Sequence, residues 1–225
     1  MMRTMMFRQM MMGTLFAGLV LGAAAAPAQA ASITYAVHVD TTGLAGTQGY
    51  LDLQFLPGGF DALAATATVT GFNAFDTTLT PPPVLTGDAS GALPGDVTLG
   101  NSGAFNDYFH GLTFGNQFSF FLTLTGDALS PVSPPLSGTA FSLLLFGSDG
   151  FTPLLTADPD GRLASLQIGP AGQVGVQTFA RPQGGDPAAT VTQVEAVPEP
   201  ATMWLMGTGV AALIARRVRS RSRAS

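Results

Sequence analysis

Two histidines, His38 and His110, are the only side chains in this chain with an ordinary pKa near neutrality, and neither cysteine nor lysine occurs. His38 alternates with Val37 and Val39, which puts it on the outer face of a strand. His110 lies in Asn106-Asp107-Tyr108-Phe109-His110-Gly111 and is expected beside a turn. A Ser–His–Asp arrangement can be drawn from such residues, but no Gly-x-Ser-x-Gly elbow surrounds any serine. Glycoside hydrolysis needs a pair of carboxyl groups. The only glutamates are Glu195 and Glu199, and Asp88, Asp96, Asp127 and Asp149 each adjoin a glycine, as turns require. The expectation is a non-enzyme, with a hydrolase as the weaker alternative.

Three further patterns invite chemistry. Asp158-Pro159-Asp160-Gly161 opens like a calcium loop but lacks the later acidic ligands of an EF-hand. A plain turn without cofactor is expected there; a structural Ca²⁺ on Asp158, Asp160 and backbone carbonyls is the alternative. Thr66, Thr68 and Thr70 share one strand face, with Thr123 and Thr125 as a partial second row. Regular threonine arrays can bind ice, although a solvated face of a strand-favouring residue gives the same pattern. Sugar sites present aromatics on an exposed face or loop. Tyr50, Phe60, Tyr108 and Phe109 are the candidates for a carbohydrate-binding module, Tyr50 and Tyr108 foremost.

The elements that must position these residues have period two. Ile33, Tyr35, Val37 and Val39 share a face, Leu51, Leu53 and Phe55 alternate with Asp52 and Gln54, and Ala65, Ala67 and Val69 alternate with the threonines. Further strands are expected at Asp96–Leu99, Tyr108–Phe114, Gln117–Thr125, Thr139–Phe146, Leu163–Ile168, Val174–Phe179 and Thr190–Glu195, separated by Gly-, Pro- and Asp-rich turns. Thr80–Pro83 and Ser130–Pro135 are proline-rich and expected as loops. Phe118–Leu124 and Phe141–Phe146 are the most continuously apolar and are expected as neighbouring central strands covered on both faces. The fold class is all-β: one β-sandwich of jelly-roll or immunoglobulin-like type. Fourteen of the 16 phenylalanines fall in this body and supply its core.

Charge separates the ends from the middle. Arg3 and Arg8 precede the body and Arg216, Arg217, Arg219, Arg221 and Arg223 follow it. Between Ala31 and Pro200 all 14 acidic residues face only Arg162 and Arg181, a net charge of 2 − 14 = −12. Such a surface repels nucleic acid. Residues 1–30 form an N-terminal signal peptide: a basic start, the apolar run Met10–Ala26, and the small-x-small site Ala28-Gln29-Ala30 before Ala31. Such a leader implies the Sec translocon and signal peptidase as partners. At the other end, Val197-Pro198-Glu199-Pro200-Ala201-Thr202 precedes the apolar run Met203–Ala215. That run is expected as a single transmembrane helix. Ala201–Ala215 would extend roughly 22 Å at ~1.5 Å per residue, short against a hydrocarbon core of about 30 Å. Trp204 would lie at the outer interface, and Arg216 and Arg217 would stop transfer on the cytoplasmic side.

Pro198-Glu199-Pro200, a short apolar segment and an arginine-rich end, in that order, resemble the PEP-CTERM sorting signal. The resemblance covers residues 197–225. It implies a tail held briefly in the inner membrane and trimmed by an exosortase-like enzyme, with Pro198, Glu199 and Pro200 as the recognition element. It further implies an exported protein of the cell envelope, outer surface or extracellular matrix, in bacteria that make exopolysaccharide and biofilm. The body, residues 31–196, is similar to a group of uncharacterised PEP-CTERM proteins in its start, Tyr35–Leu53, and its middle, Phe114–Leu124; this implies no activity.

Overall fold

Strict alternation of apolar and polar residues builds strands with one face for a core and one for water. A computed structural model describes residues 31–195 of the 225. Its strands are β1 (Ser32–Asp40), β2 (Gln48–Pro57), β3 (Thr66–Asn73), β4 (Thr78–Thr86), β5 (Ala89–Gly91), β6 (Val97–Gly100), β7 (Asp107–Thr113), β8 (Gln117–Thr125), β9 (Thr139–Gly147), β10 (Arg162–Ile168), β11 (Val174–Thr178) and β12 (Ala189–Val194). They form two six-stranded sheets, β12-β1-β8-β3-β6-β5 and β11-β10-β9-β2-β7-β4. These pack as an unclosed sandwich in which the paired strands run antiparallel. Among the described residues no helix is long and apolar enough to cross a membrane.

The inward faces follow the alternation. Tyr35, Val37 and Val39 of β1 and Phe118, Phe120, Leu122 and Leu124 of β8 join one core with Leu51, Leu53 and Phe55 of β2 and Phe141, Leu143 and Leu145 of β9. None of these is more than 3% exposed, and each fully buried side chain contributes roughly 1.5–3 kcal/mol.

Two expectations about the elements need correction. β8 and β9 are both central, but in different sheets: β8 lies between β1 and β3, and β9 between β10 and β2. Of the two, only β9 is buried along both faces, with Ser142 and Leu144 on its outer side at most 9% exposed, and the segment after it returns alongside to pair Pro153 with Phe146. The outer face of β8 stays open, with Phe121 exposed. Thr80–Pro83 is not a loop but part of β4. That strand is an edge, where a missing N–H costs no ladder bond, and its pairing with β7 is interrupted between Thr80 and Val84. Ser130–Pro135 stays outside the strands as expected.

Register fixes where the chain enters and leaves. Thr34 of β1 lies opposite Val194 of β12, while Ser32 lies opposite Thr125. The start of β1 and the end of β12 therefore share one pole, called proximal below. The segments joining β2 to β3, β6 to β7 and β8 to β9 reach the same pole, since Pro57 pairs with Thr139 and Thr66 with both Gly100 and Thr125.

Candidate functional site

On β2 the residues between the core positions point to the outside of the second sheet: Tyr50, Asp52 and Gln54. Their partners on β7 are Gly111, Phe109 and Asp107. Tyr50 stacks on Phe109 with ring centroids 4.5 Å apart, and Phe146 of β9 lies 6.3 Å from Phe109. The Gly150 turn lies over the shelf, close enough that a methyl at Gly150 would touch both Tyr50 and Phe109, and both rings are half exposed.

Beside the shelf, Asp52 is 4% exposed and Asp107 is 8% exposed. Gln54 Nε2 donates to Asp52 Oδ2 at 2.9 Å, while Asp52 Oδ1 and Asp107 Oδ1 are buried without a hydrogen-bond donor from any other residue type. Burial first, and then the neighbouring Asp107 carboxyl, push Asp52 up to about 9. Asp52 is thus a neutral acid at pH 7, and its proton can bridge to the neighbouring Asp107 carboxyl. Two carboxyl groups sharing a proton are the raw material of acid–base catalysis. Here both are enclosed, so the pair holds its proton within the wall of the sheet.

The histidines part company. His38 is on the outer face of β1, as expected. His110 is inside β7 rather than beside a turn, opposite Leu51 and 1% exposed. Tyr108, the expected exposed aromatic, is fully buried two residues earlier. Its hydroxyl accepts from the Leu93 N–H at 2.9 Å and lies 2.6 Å from His110 Nδ1. Burial holds the His110 pKa below its ordinary value, offset in part by the Thr80 backbone. The alternation missed this because Tyr108 and His110 are polar residues in core positions, where the Tyr108 hydroxyl and His110 Nδ1 bond each other while His110 Nε2 has no hydrogen-bond partner. Tyr108 is therefore not a ligand-facing residue, whereas Tyr50 is half exposed. Phe60 is fully exposed and Phe109 half exposed.

Asp158 and Asp160, the expected turn and alternative calcium ligands, are both ion-paired. Arg162 takes both: Nε lies 2.8 Å from Asp158 Oδ2, and one terminal nitrogen lies 2.7 Å from Asp160 Oδ2. The arginine side-chain bond leads the causes that hold the Asp158 carboxyl below the usual range. A divalent ion would have to displace a guanidinium already at contact. Among the described residues no group of three or more His, Asp or Glu side chains gathers at metal-binding distance.

The threonine face is wider than the sequence suggested. Ser90, Thr98, Thr68, Thr123 and Thr34 stand opposite one another across β5, β6, β3, β8 and β1. Thr34 and Thr123 share a hydroxyl–hydroxyl bond of 3.0 Å. Thr66, Thr125 and Ser32 make a second rank, and Thr192 follows on β12 opposite Ala36. Beside them a groove of about 190 Å³ is lined by Ala36, His38, Gly71, Phe121, Thr190 and Thr192. Strands far apart in sequence supply these ranks, and their mutual register is not encoded locally. A second hollow, about 450 Å³, lies at the proximal pole between residues 57–64 and 101–104 and has no ionisable lining.

Ala31 is the first described residue; Ala28, Ala30, Pro198, Glu199, Pro200, Trp204, Arg216 and Arg217 lie outside the described residues. Residues 196–220 match the family model of the PEP-CTERM protein-sorting motif. This is a β-rich protein with a PEP-CTERM sorting tail. The match begins two residues after β12 ends, so the PEP-CTERM motif follows the sandwich almost directly. It supports an exosortase-dependent surface-sorting tail and a membrane-associated export pathway. No curated protein matches the chain, and no solved structure does.

Proposed function

We propose that this PEP-CTERM protein is an exported, non-catalytic component of the cell surface or extracellular matrix, associated with exopolysaccharide or biofilm. The sorting motif at residues 196–220 carries this reading. Residues 1–30 direct export through the Sec translocon, and signal peptidase releases Ala31. The apolar run Met203–Ala215 is held in the inner membrane as a short helix, with Arg216 and Arg217 on the cytoplasmic side. An exosortase-type enzyme then recognises Pro198-Glu199-Pro200 and trims the tail. The body is a jelly roll. The nested pairings β1–β8, β2–β7 and β3–β6 support this, because a long hairpin wound over itself produces that order. Mass spectrometry of the protein from the producing cells tests the reading: the mature chain should begin at Ala31 and lack Trp204. Intact Ser225 on protein recovered from the outer surface would refute it.

A second reading, a carbohydrate-binding module, is favoured by the hydroxyl ranks around Thr68, Thr123 and Thr34. The rank from Ser90 to Thr34 carries no charged side chain, although the Asp88 carboxylate lies over Gly100 beside Thr66 at its edge and the body as a whole is strongly acidic. An uncharged hydroxyl face with Phe121 exposed on it suits a neutral glycan. A glycan array run with wild type and Phe121→Ala separates this reading from a purely structural one; a flat thermal-hysteresis trace on the same sample separates it from ice binding.

A further inference from the structure

Three large apolar side chains stand almost free in water: Phe60 at 112% exposure, Val132 at 105% and Leu136 at 94%. All three belong to segments that reach the proximal pole, residues 58–65 between β2 and β3 and residues 130–138 before β9. These segments are tied together. The Leu136 N–H donates to Asp61 Oδ2, and the Gly58 N–H donates to the Gly138 carbonyl at 2.8 Å. Phe60 and Leu136 are thus presented by one knitted unit, not by independent loose tips. Exposed apolar side chains gathered on one surface mark a contact with something apolar.

The occupant is set by where the chain goes next. β12 ends at Val194 on this pole, and the apolar run of the tail begins at Met203. Nine residue steps cover at most roughly 31 Å. Chain entry is at the same pole, through Ser32 beside Thr125. Any bilayer holding the tail therefore lies within that reach of the pole that carries Phe60, Val132 and Leu136, and nearer to it than to the opposite pole. Basic attraction plays no part. The two described arginines are engaged elsewhere, Arg162 with Asp158 and Asp160 and Arg181 with Asp40, while Asp61, Asp127 and Glu195 lie at or beside this pole.

We propose that the proximal pole is a lipid-contacting surface, on which Phe60, Val132 and Leu136 dip into the interface of a zwitterionic membrane while the tail is held there. This rests on the tail reading above. Aromatic and aliphatic side chains at interface depth behave in this way without headgroup charge. The contact steadies the body over the membrane and keeps Pro198-Glu199-Pro200 near the surface where a membrane enzyme would act.

The test uses the full-length chain, whose lack of cysteine allows single labels. Cysteine replaces Phe60, Val132, Leu136 or, as control, Phe151, which is 84% exposed on the segment after β9 at the opposite pole. Each variant carries an environment-sensitive fluorophore and is reconstituted into phosphatidylcholine vesicles containing a lipid-borne quencher. Circular dichroism confirms that each variant keeps the wild-type spectrum. Flotation of the chain begun at Ala31, which lacks the apolar run Met10–Ala26, reports the tail; quenching reports the pole. Quenching at least threefold greater at positions 60, 132 and 136 than at 151, and weakened by anionic lipid, supports the proposal. Flotation with equal quenching at all four positions overturns it. So does a fluorescence shift that follows protein density without quenching, since the pole would then meet a second copy. Failure to float refutes the tail reading and removes this proposal with it.

Discussion

Replacing Asp52 by asparagine should make the body more stable, although it removes an acid from a hydrogen-bonded pair. In the folded protein burial and Asp107 keep the Asp52 proton on up to about pH 9, whereas the ordinary value is 3.8. Holding that proton costs roughly 1.4 kcal/mol for every pH unit above the ordinary value. At pH 7.5 the cost therefore approaches ~5 kcal/mol, an upper bound because partial solvation of the site reduces it. Asparagine keeps the shape, accepts from Gln54 with its oxygen, and donates to Asp107 without taking up a proton. We expect Asp52→Asn to gain at least ~2 kcal/mol at pH 7.5. The size of the gain changes with pH. Between about 4 and 9 the folded state binds a proton that the unfolded state has lost, so wild-type stability falls as pH rises through this window. At pH 4 and below the two proteins should converge. Urea unfolding of residues 31–195, followed by circular dichroism at pH 4, 7.5 and 9.5, measures the difference at each pH. A variant less stable than wild type at pH 7.5, or one offset equally at all three, would refute a shared proton.

Gly49→Ala should cost about 3 kcal/mol, because a methyl there would strike the Phe146 carbonyl and the Phe114 ring; thermal unfolding checks it. Arg162→Ala should cost about 1 kcal/mol after allowance for its one-third exposure. It should also raise the Asp158 titration toward the ordinary value, read by carboxyl NMR, while millimolar Ca²⁺ leaves the wild-type melting temperature unchanged. His110, kept neutral by burial, should make stability fall as pH drops below about 6.5, where the unfolded state takes up a proton. His110→Gln should flatten that slope in urea titrations between pH 6.5 and 5.

The sheets were legible because alternation is a local property. The apolar positions of β1 and β2 and the span Gln117–Thr125 of β8 needed only neighbouring residues to be seen. Pairing is not local, and this is where the reading went astray. Phe118–Leu124 and Phe141–Phe146 look alike in sequence, yet the chain crosses from one sheet to the other between them. Asp52 alternates with leucines and so reads as solvated. Its burial depends on Asp107, 55 positions away and one strand over, and on what folds across the sheet from outside. Tyr108 and His110 occupy inward positions in plain view, but two polar groups in a core make sense only once their mutual bond is known. The sorting motif stood apart from all this, since a processing enzyme reads it as linear sequence.

The antiparallel β1–β12 pair also decides how the body bears mechanical load. β12 is an edge strand paired with β1 over six positions, from Thr34 opposite Val194 to Val39 opposite Ala189. Tension between the two chain ends would pull both strands from the same side and open the ladder one bond at a time. A load carried between the C-terminal end and the opposite pole would pull β12 along its own axis instead. The six positions then resist together in shear. Freeing the N-terminal end, as the proposed signal cleavage would, therefore leaves this sandwich only the stronger of the two pulling geometries, engaged once the body is held at its far side.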